Sequence, residues 1–389
     1  MTDHHQPSAS PVRSTYDRSY KWLLLFPAIL FILSLGYLFS FSQTHGDVIY
    51  KDVSLTGGTT VTVFDASTDI LALRTALQPQ FPDISARSIS DIRTGTQHGF
   101  FVATQADATT LKKALEHFLG YSLTSENSSV EFSGATLSAG FYAQLRNAMM
   151  AAFLLMAWVV FFIFTPSRKA VSIATMLTFL SVAILLSGIS FVKVLSLLVI
   201  IGAFAWGLFH ERKHKRESLM TLAVFIVSLA LFFFYPASWI VALCAVILAG
   251  LYIVVSVPSI AVIFAAFADI VMTVAVVDLL GIHLSSAGII AFLMLIGYSV
   301  DTDILLTTRL LKSNEGTVNQ RIAGAFKTGM TMTLTAIAAI GVAFIAVYTF
   351  SDTLRQIFGI ILLGLFFDIL NTWVTNASIL KWYVEAKHL

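Results

Sequence analysis

From about residue 145 to residue 380 the chain is almost continuously apolar, interrupted only by short charged or turn-forming segments. A helix needs about 20 predominantly apolar residues to cross a bilayer, and one stretch after another of that length can be laid along this region. They fall at 145–165, 170–189, 191–209, 218–235, 237–256, 259–280, 286–309, 329–349 and 356–380. An earlier one occupies 22–42, which makes about ten. Hydrophobic residues are 57% of the chain and charged residues 12%, against roughly 45–50% and about 25% in soluble domains. The sequence predicts a polytopic α-helical membrane protein.

Charge placement supports that span count independently. Arg13, Arg18 and Lys21 precede the first span, which puts the N-terminus in the cytoplasm by the positive-inside rule. That span is longer than the 7–15-residue core of a signal peptide, and no small-residue cleavage site follows, so it reads as a retained anchor. Alternation then places Arg168 and Lys169, the run 210–216, the segment 309–327 and the segment 381–387 on the cytoplasmic side. The opposite loops, around Ser190, Tyr235-Pro236, His283 and Asp352, are nearly free of basic residues. Both termini are expected in the cytoplasm of a cell-membrane protein.

One polar stretch, 43–144, separates the first two spans. Strand patterns at 59–64, 85–92, 99–103 and 129–132 alternate with helical patterns at 69–77 and 107–118, the second capped by Asp107. The order β-α-β-β-α-β is that of a small α+β ferredoxin-like domain, expected outside the cytoplasm because the anchor starts inside.

Several chemistries find no support. The net charge of +2 is scattered, so no nucleic-acid partner is implied. Cys244 is the single cysteine, which excludes a disulfide framework or cysteine metal site within one chain. Gly57-Gly58 lacks the Lys-Ser or Lys-Thr of a phosphate loop, and neither an HExxH nor a G-x-S-x-G pattern occurs. No cofactor, metal or hydrolase reading follows. The Asn127 sequon is an acceptor pattern in the polar stretch.

Carboxylates inside the spans are the strongest functional signal. Asp269 and Asp368 lie near the middle of theirs, while Asp301 and Asp303 share a third, just cytoplasmic of centre. An ionised carboxylate there costs about 2.5–3.5 kcal/mol, so three or four would cost roughly 8–14 kcal/mol together. They are expected to face the bundle interior and share protons or pair with a cation. Asp301 and Asp303, two residues apart, project to different sides of the helix. Arg309 lies eight residues after Asp301, roughly 12 Å along the axis, and is expected to snorkel to the interface. Thr273, four residues from Asp269, and Asn371, three from Asp368, share faces with the acids. A proton path and a set of polar pairs gluing helices both fit this pattern. The hydroxyls of Thr328, Thr331, Thr333 and Thr335 are expected to serve packing, Lys193 to snorkel, and His283 to be solvated.

These residues also carry a resemblance. Asp52-Val53-Ser54-Leu55-Thr56-Gly57-Gly58-Thr59 resembles a D-F-x-G-G-T-type segment opening an external domain. Ser133-Gly134-Ala135-Thr136-Leu137-Ser138 resembles a V-G-P-x-x-G-type lead into the second helix, without its proline or final glycine. Val257-Pro258-Ser259 with Ala266-Phe267-Ala268-Asp269 resembles an A-x-x-H/S-D helix. Gly297, Tyr298 and Ser299 open a G-Y-S helix whose Val300-Asp301-Thr302-Asp303 has the archaeal form, and Phe367-Asp368-Ile369-Leu370-Asn371-Thr372-Trp373 resembles the archaeal ending. Over about 22–165 and 255–385 the chain resembles the SecF family, membrane subunits that work with SecD at the Sec protein translocase, within the RND superfamily.

The resemblance implies six core helices, a ferredoxin-like external domain, and coupling of proton motive force to late steps of translocation. It implies a SecD-like partner, the Sec translocon channel, a translocating polypeptide and membrane lipid, in a non-enzymatic role. It points to Asp269, Asp301 and Asp303; in bacterial relatives the acid of the G-Y-S motif falls where Thr302 stands here. The expected layout is a tail at 1–21, a first helix at 22–42, the external domain at 43–144, a second core helix at 145–165, four inserted helices at 166–256 and four further core helices at 257–385. The inserted helices hold no intramembrane carboxylate and read as a peripheral bundle. The competing expectations are an RND-type transporter of lipids or small hydrophobic molecules and a non-pumping scaffold.

Overall fold

The computed structural model describes residues 19–91, 94–210, 215–234, 238–313, 316–348 and 351–387. Arg13, Arg18, the charges from Glu211 to His214 and the Tyr235-Pro236 loop, all used above to orient the chain, lie outside the described residues.

After the first long helix, α1 (Leu25–His45), the polar stretch forms a compact unit. A short helix α2 (Val53–Thr56) leads into β1 (Gly58–Val63), α3 (Ile70–Leu77), β2 (Ser85–Ser90), β3 (Gln97–Thr104), α4 (Ala108–Leu119) and β4 (Ser128–Ser133). All pairings are antiparallel and the sheet order is β2-β3-β1-β4. In β1 the pleat turns Thr59, Val61 and Val63 inward while Thr60 and Thr62 are less buried. Val61, Val63, Phe100 and Val102 meet Leu73, Leu77, Leu111 and Leu115 from the two helices in one core. Asp69 and Asp107 cap α3 and α4 by accepting from the backbone N–H groups two and three residues on.

The Asp52–Thr59 motif is explained by the corner it builds. Asp52 caps α2 through the Ser54 N–H. Gly57 has φ +84°, and a Cβ there would lie 2.5 Å from the Ala135 Cα, so only glycine fits. Residues just before the corner are stitched to a distant turn. Leu284 N–H donates to the Tyr50 carbonyl at 2.7 Å and Asp52 N–H to the Leu284 carbonyl at 3.0 Å, and the Ser286 N–H donates to Ser54 Oγ.

The remaining chain is helical: α5 (Ala135–Phe164), α6 (Arg168–Leu185), α7 (Ser190–His210), α8 (Lys215–Phe234), α9 (Ser238–Val255), α10 (Val257–Leu279), α11 (Ser286–Lys312), α12 (Val318–Val347) and α13 (Asp352–Leu370), followed by a π-helical turn (Asn371–Asn376) and α14 (Ala377–Lys387). Side-chain caps start several of them: Ser167, Ser256, Ser285 and Ser351 each accept from a backbone N–H three residues on, and Thr317 with Gln320 forms a capping box.

Among the described residues, eight helices are long and apolar enough to cross a membrane, while the apolar parts of α8 and α9, Thr221–Phe232 and Trp239–Val255, are shorter. Two starts differ from expectation. α5 begins at Ala135 rather than 145, because its polar first turns are held helical against the Gly57 corner. α12 begins at Val318 rather than 329, because the Thr317 capping box nucleates it ahead of the apolar segment.

Burial divides these helices. α10 is the most buried of the eight, and α12 is almost wholly exposed. α6 is deeply packed: Ala170, Ala174, Met176 and Leu180 share a core with Val160 and Phe161 of α5, Ile200 of α7, Ile240 and Tyr252 of α9, and Val262 and Ala266 of α10. A second core joins Val277, Phe292, Leu295, Ile360 and Leu365 across α10, α11 and α13.

Candidate functional site

Helices α10, α11 and α13 cross where each contributes a carboxyl. Asp269, Asp303 and Asp368 are at most 1% exposed, as deeply buried as the apolar core around them. Small and hydroxyl side chains fill the space between. Ser299 Oγ donates to Asp269 Oδ2 at 2.5 Å, and Asn371 Nδ2 donates to Asp269 Oδ1 at 2.7 Å. The Thr302 hydroxyl lies 3.1 and 3.3 Å from the two oxygens of Asp368 and 2.9 Å from the Ser299 carbonyl. Thr372 Oγ1 lies 2.9 Å from Asp303 Oδ1 and 3.1 Å from Asp368 Oδ1. Asn376 Nδ2 donates to Asp303 Oδ1 at 2.7 Å.

The π-helical turn makes much of this possible. A π turn inserts an extra residue into the helical repeat, and such turns cluster at functional sites. Here Asn371, Thr372, Thr375 and Asn376 are all at most 5% exposed. Thr375 donates back to Asn371 Oδ1 at 3.2 Å, fixing the amide that serves Asp269.

Among the described residues no lysine, arginine or histidine is ion-paired or hydrogen-bonded to any of the three carboxyls. Buried charges without a counter-charge are among the most expensive groups in a fold. Every side-chain donor in the cluster is a hydroxyl or an amide, groups that serve carboxyl oxygens in either protonation state. The arrangement suits the uptake and release of protons.

The sequence expectations resolve unevenly. Asp269, Asp303 and Asp368 converge, and Ser299 belongs to their shell. Asp301 does not join them; its side chain is exposed on the far side of α11, about 200° around the helix from Asp303. Gly297 and Tyr298 are exposed as well. Thr273 spends its hydroxyl on the main-chain carbonyl of Asp269, at 2.6 Å, rather than on a carboxyl. Asn371 serves Asp269 of α10 and not Asp368 of its own helix. Arg309 is exposed one turn from the end of α11 and bonds to none of the acids. The hydroxyls of Thr328, Thr331 and Thr333 bond to carbonyls four residues earlier in their own helix; Thr333 is buried, and Thr328 and Thr331 are exposed.

Thr302, Thr372, Thr375 and Asn376 are cluster members that residue-type reasoning passes over. Their signal was present: Asp368, Asn371, Thr372, Thr375 and Asn376 recur at three- and four-residue spacing, a polar stripe along one face of an apolar helix. Further along that helix Lys381, 1% exposed, lies with Nζ 2.9 Å from Asn319 Oδ1 and 4.8 Å from the Tyr20 ring. Tyr20 in turn donates to Glu385 at 2.7 Å.

Residues 216–386, the stretch holding all three buried carboxyls, match the C-terminal family of the protein export membrane proteins SecD and SecF. Over that stretch the chain is SecF-like. Similar SecF proteins include that of Methanolacinia petrolearia, 51% identical over 130 residues, covering 33% of this chain and 46% of the relative. That of Methanothermobacter thermautotrophicus is 50% identical over 134 residues, covering 34% and 47% respectively. The matched part of this chain thus spans about half the length of these relatives. Both are named protein-export membrane proteins. The fold is similar to a crystal structure of a Thermus SecDF, described as a translocon-associated membrane protein, with a TM-score of 0.50 and 14% identity over 95% of this chain and 38% of that one.

Proposed function

We propose that this SecF-like chain assists protein export across the cytoplasmic membrane, together with a SecD-like partner, by binding and releasing protons at the cluster of Asp269, Asp303 and Asp368. The observation that carries the reading is the linkage itself. Three carboxyls from three helices are joined by hydroxyls and amides, with no cation bonded to them among the described residues. A change in their protonation changes which helices are held together, and that is the minimum a proton-driven subunit requires.

The rest of the reading follows from it. The β-α-β-β-α-β unit is a ferredoxin-like domain on the extracytoplasmic side, where it meets the translocating polypeptide. About ten helices span the bilayer, six forming the core and four, α6 to α9, inserted at its side, with both termini cytoplasmic. The exposed face of α11, with Ile290, Met294, Tyr298 and Asp301, lies beside the nearly bare α12. A carboxylate exposed in the middle of an apolar span calls for a covering surface that supplies a donor, and a SecD-like subunit provides it. The Sec channel and membrane lipid complete the surroundings.

Measuring export into membrane vesicles, with and without a proton gradient, for D269N, D303N and D368N singly tests the reading. The gradient-dependent part should fall at least about tenfold in one or more. Unchanged gradient dependence in all three would overturn it. The bond from Ser299 to Asp269 also favours a second reading, in which the acids glue helices. Under that reading the same variants lower thermal stability and leave gradient dependence intact.

A further inference from the structure

Asp303 differs from its two neighbours in how its oxygens are served. Both oxygens of Asp269 accept a hydrogen bond, one from Ser299 and one from Asn371. Both oxygens of Asp368 lie within reach of Thr302, and one also of Thr372. Asp303 Oδ1 accepts from Thr372 and Asn376, while its Oδ2, fully buried, meets no donor. The partner amide shows the same gap. Asn376 gives its N–H to Asp303, yet its own carbonyl oxygen is buried without a donor.

Two buried acceptors without donors thus sit on one carboxyl and on the one amide bonded to it. Leaving either unmet is costly, and one hydrogen meets both. We propose that Asp303 carries a proton on Oδ2 that it donates to Asn376 Oδ1. The result is a two-bond acid–amide pair whose other half is the N–H of Asn376 on Asp303 Oδ1. Asn376 is then the positioning residue for a proton seated at Asp303. The inference rests on the proton-coupled reading above and names the seat of the proton within it.

The surroundings agree. Ser299, Thr302, Asn371, Thr372 and Asn376 supply the side-chain donors to the three carboxyls, and Asp303 Oδ2 is the one oxygen of the six that none of them reaches. The titratable groups facing Asp303 are Asp368 on α13, through the shared Thr372 hydroxyl, and Asp269 on α10. From α14, Lys381 is engaged by Asn319 and Glu385 rather than by Asp303. Loss of the proton would set two acceptors, Asp303 Oδ2 and Asn376 Oδ1, against each other without a hydrogen between them. The π-helical turn that carries Asn376 is then no longer held to α11 by two bonds.

Infrared difference spectroscopy of the full chain, reconstituted with its partner in liposomes, reads the protonated carboxyl directly through its C=O stretch. At neutral pH the wild type should show that band, with a shift in heavy water. D303N, which keeps the shape of the side chain, should lose it, while D269N and D368N keep it. N376L should displace its frequency, and N376Q should partly restore it. A band that survives in D303N, is absent from the wild type, or stands unmoved in N376L overturns the assignment. So does a band that vanishes when sodium replaces potassium, since a metal ion would then be the occupant. A band that behaves as expected, alongside D303N vesicles that export normally, would leave the proton seat standing and sink the coupling to export.

Discussion

The hydroxyl of Thr372 reaches the carboxyl of Asp303, 69 residues away in the chain, at 2.9 Å. The same oxygen lies 3.1 Å from Asp368 on its own helix. A hydroxyl has one hydrogen to give, so it serves one carboxyl at a time and reports which of them holds the greater charge.

T372V removes that hydrogen without changing the shape of the side chain. A hydrogen bond to a charged group is worth about 1.5–3 kcal/mol, and about 1.4 kcal/mol is a factor of ten. Gradient-dependent export should therefore drop about tenfold or more in T372V and be largely retained in T372S. Export by T372V at the wild-type rate would show that Thr372 is a packing residue.

G57A tests the corner between the polar domain and the helices. The residue needs φ +84° and would press a Cβ against the backbone of Ala135. Strained backbone of this kind costs about 1–3 kcal/mol, and the clash adds to it. The variant should melt several degrees lower in detergent, with the loss concentrated in the polar domain by hydrogen exchange. An unchanged melting temperature would mean that the corner is looser than the structure has it.

The polar domain should also be acid-sensitive through Asp65. Its carboxyl is held below the usual carboxylate range by hydrogen bonds from the Ser67 side chain and backbone, with Thr68 and Tyr121 adding to them. The Tyr121 hydroxyl is correspondingly pushed up to about 12, by partial burial first and by Asp65 second. Because the folded-state value lies below the unfolded one, this stabilisation is complete above about pH 3.9 and is lost as pH falls below it. Pepsin cleavage of the polar domain in the full chain should accelerate over that window, and D65N should flatten the acid dependence. An identical acid profile in D65N would rule the carboxyl out.

Asp301 makes the opposite kind of prediction. Its side chain is exposed and outside the cluster, so D301N and D301L should leave the unfolding free energy of the isolated chain within about 0.5 kcal/mol of wild type. In co-purification with a SecD-like subunit, D301L should weaken the complex and D301N less so. A complex indifferent to both would move the contact surface elsewhere on the chain.

Much of the site was legible because its residues are chemically out of place. Asp269, Asp303 and Asp368 stand out in apolar helices, and Asn371 and Ser299 are polar at similar depth. Which acid of the pair Asp301 and Asp303 faces inward was not legible, since the inward side of α11 is set by how α10 and α13 pack against it. Thr372 and Asn376 were hidden for another reason. Threonine and asparagine are ordinary in membrane helices, and only the carboxyl of Asp303, on another helix, gives them a task. The strand and helix order of the polar domain followed from periodicity. The early starts of α5 and α12 did not, because hydropathy marks where a helix becomes apolar and not where its caps begin.

The stitch between Tyr50, Asp52 and Leu284 has a mechanical meaning. Leu284 belongs to the turn joining α10, which carries Asp269, to α11, which carries Asp303. Two backbone hydrogen bonds, rather than a slack tether, fasten the polar domain to that turn. The joint is therefore built like a crank fixed to its shaft: a tilt between the two acid-bearing helices would be passed to the polar domain through those two bonds.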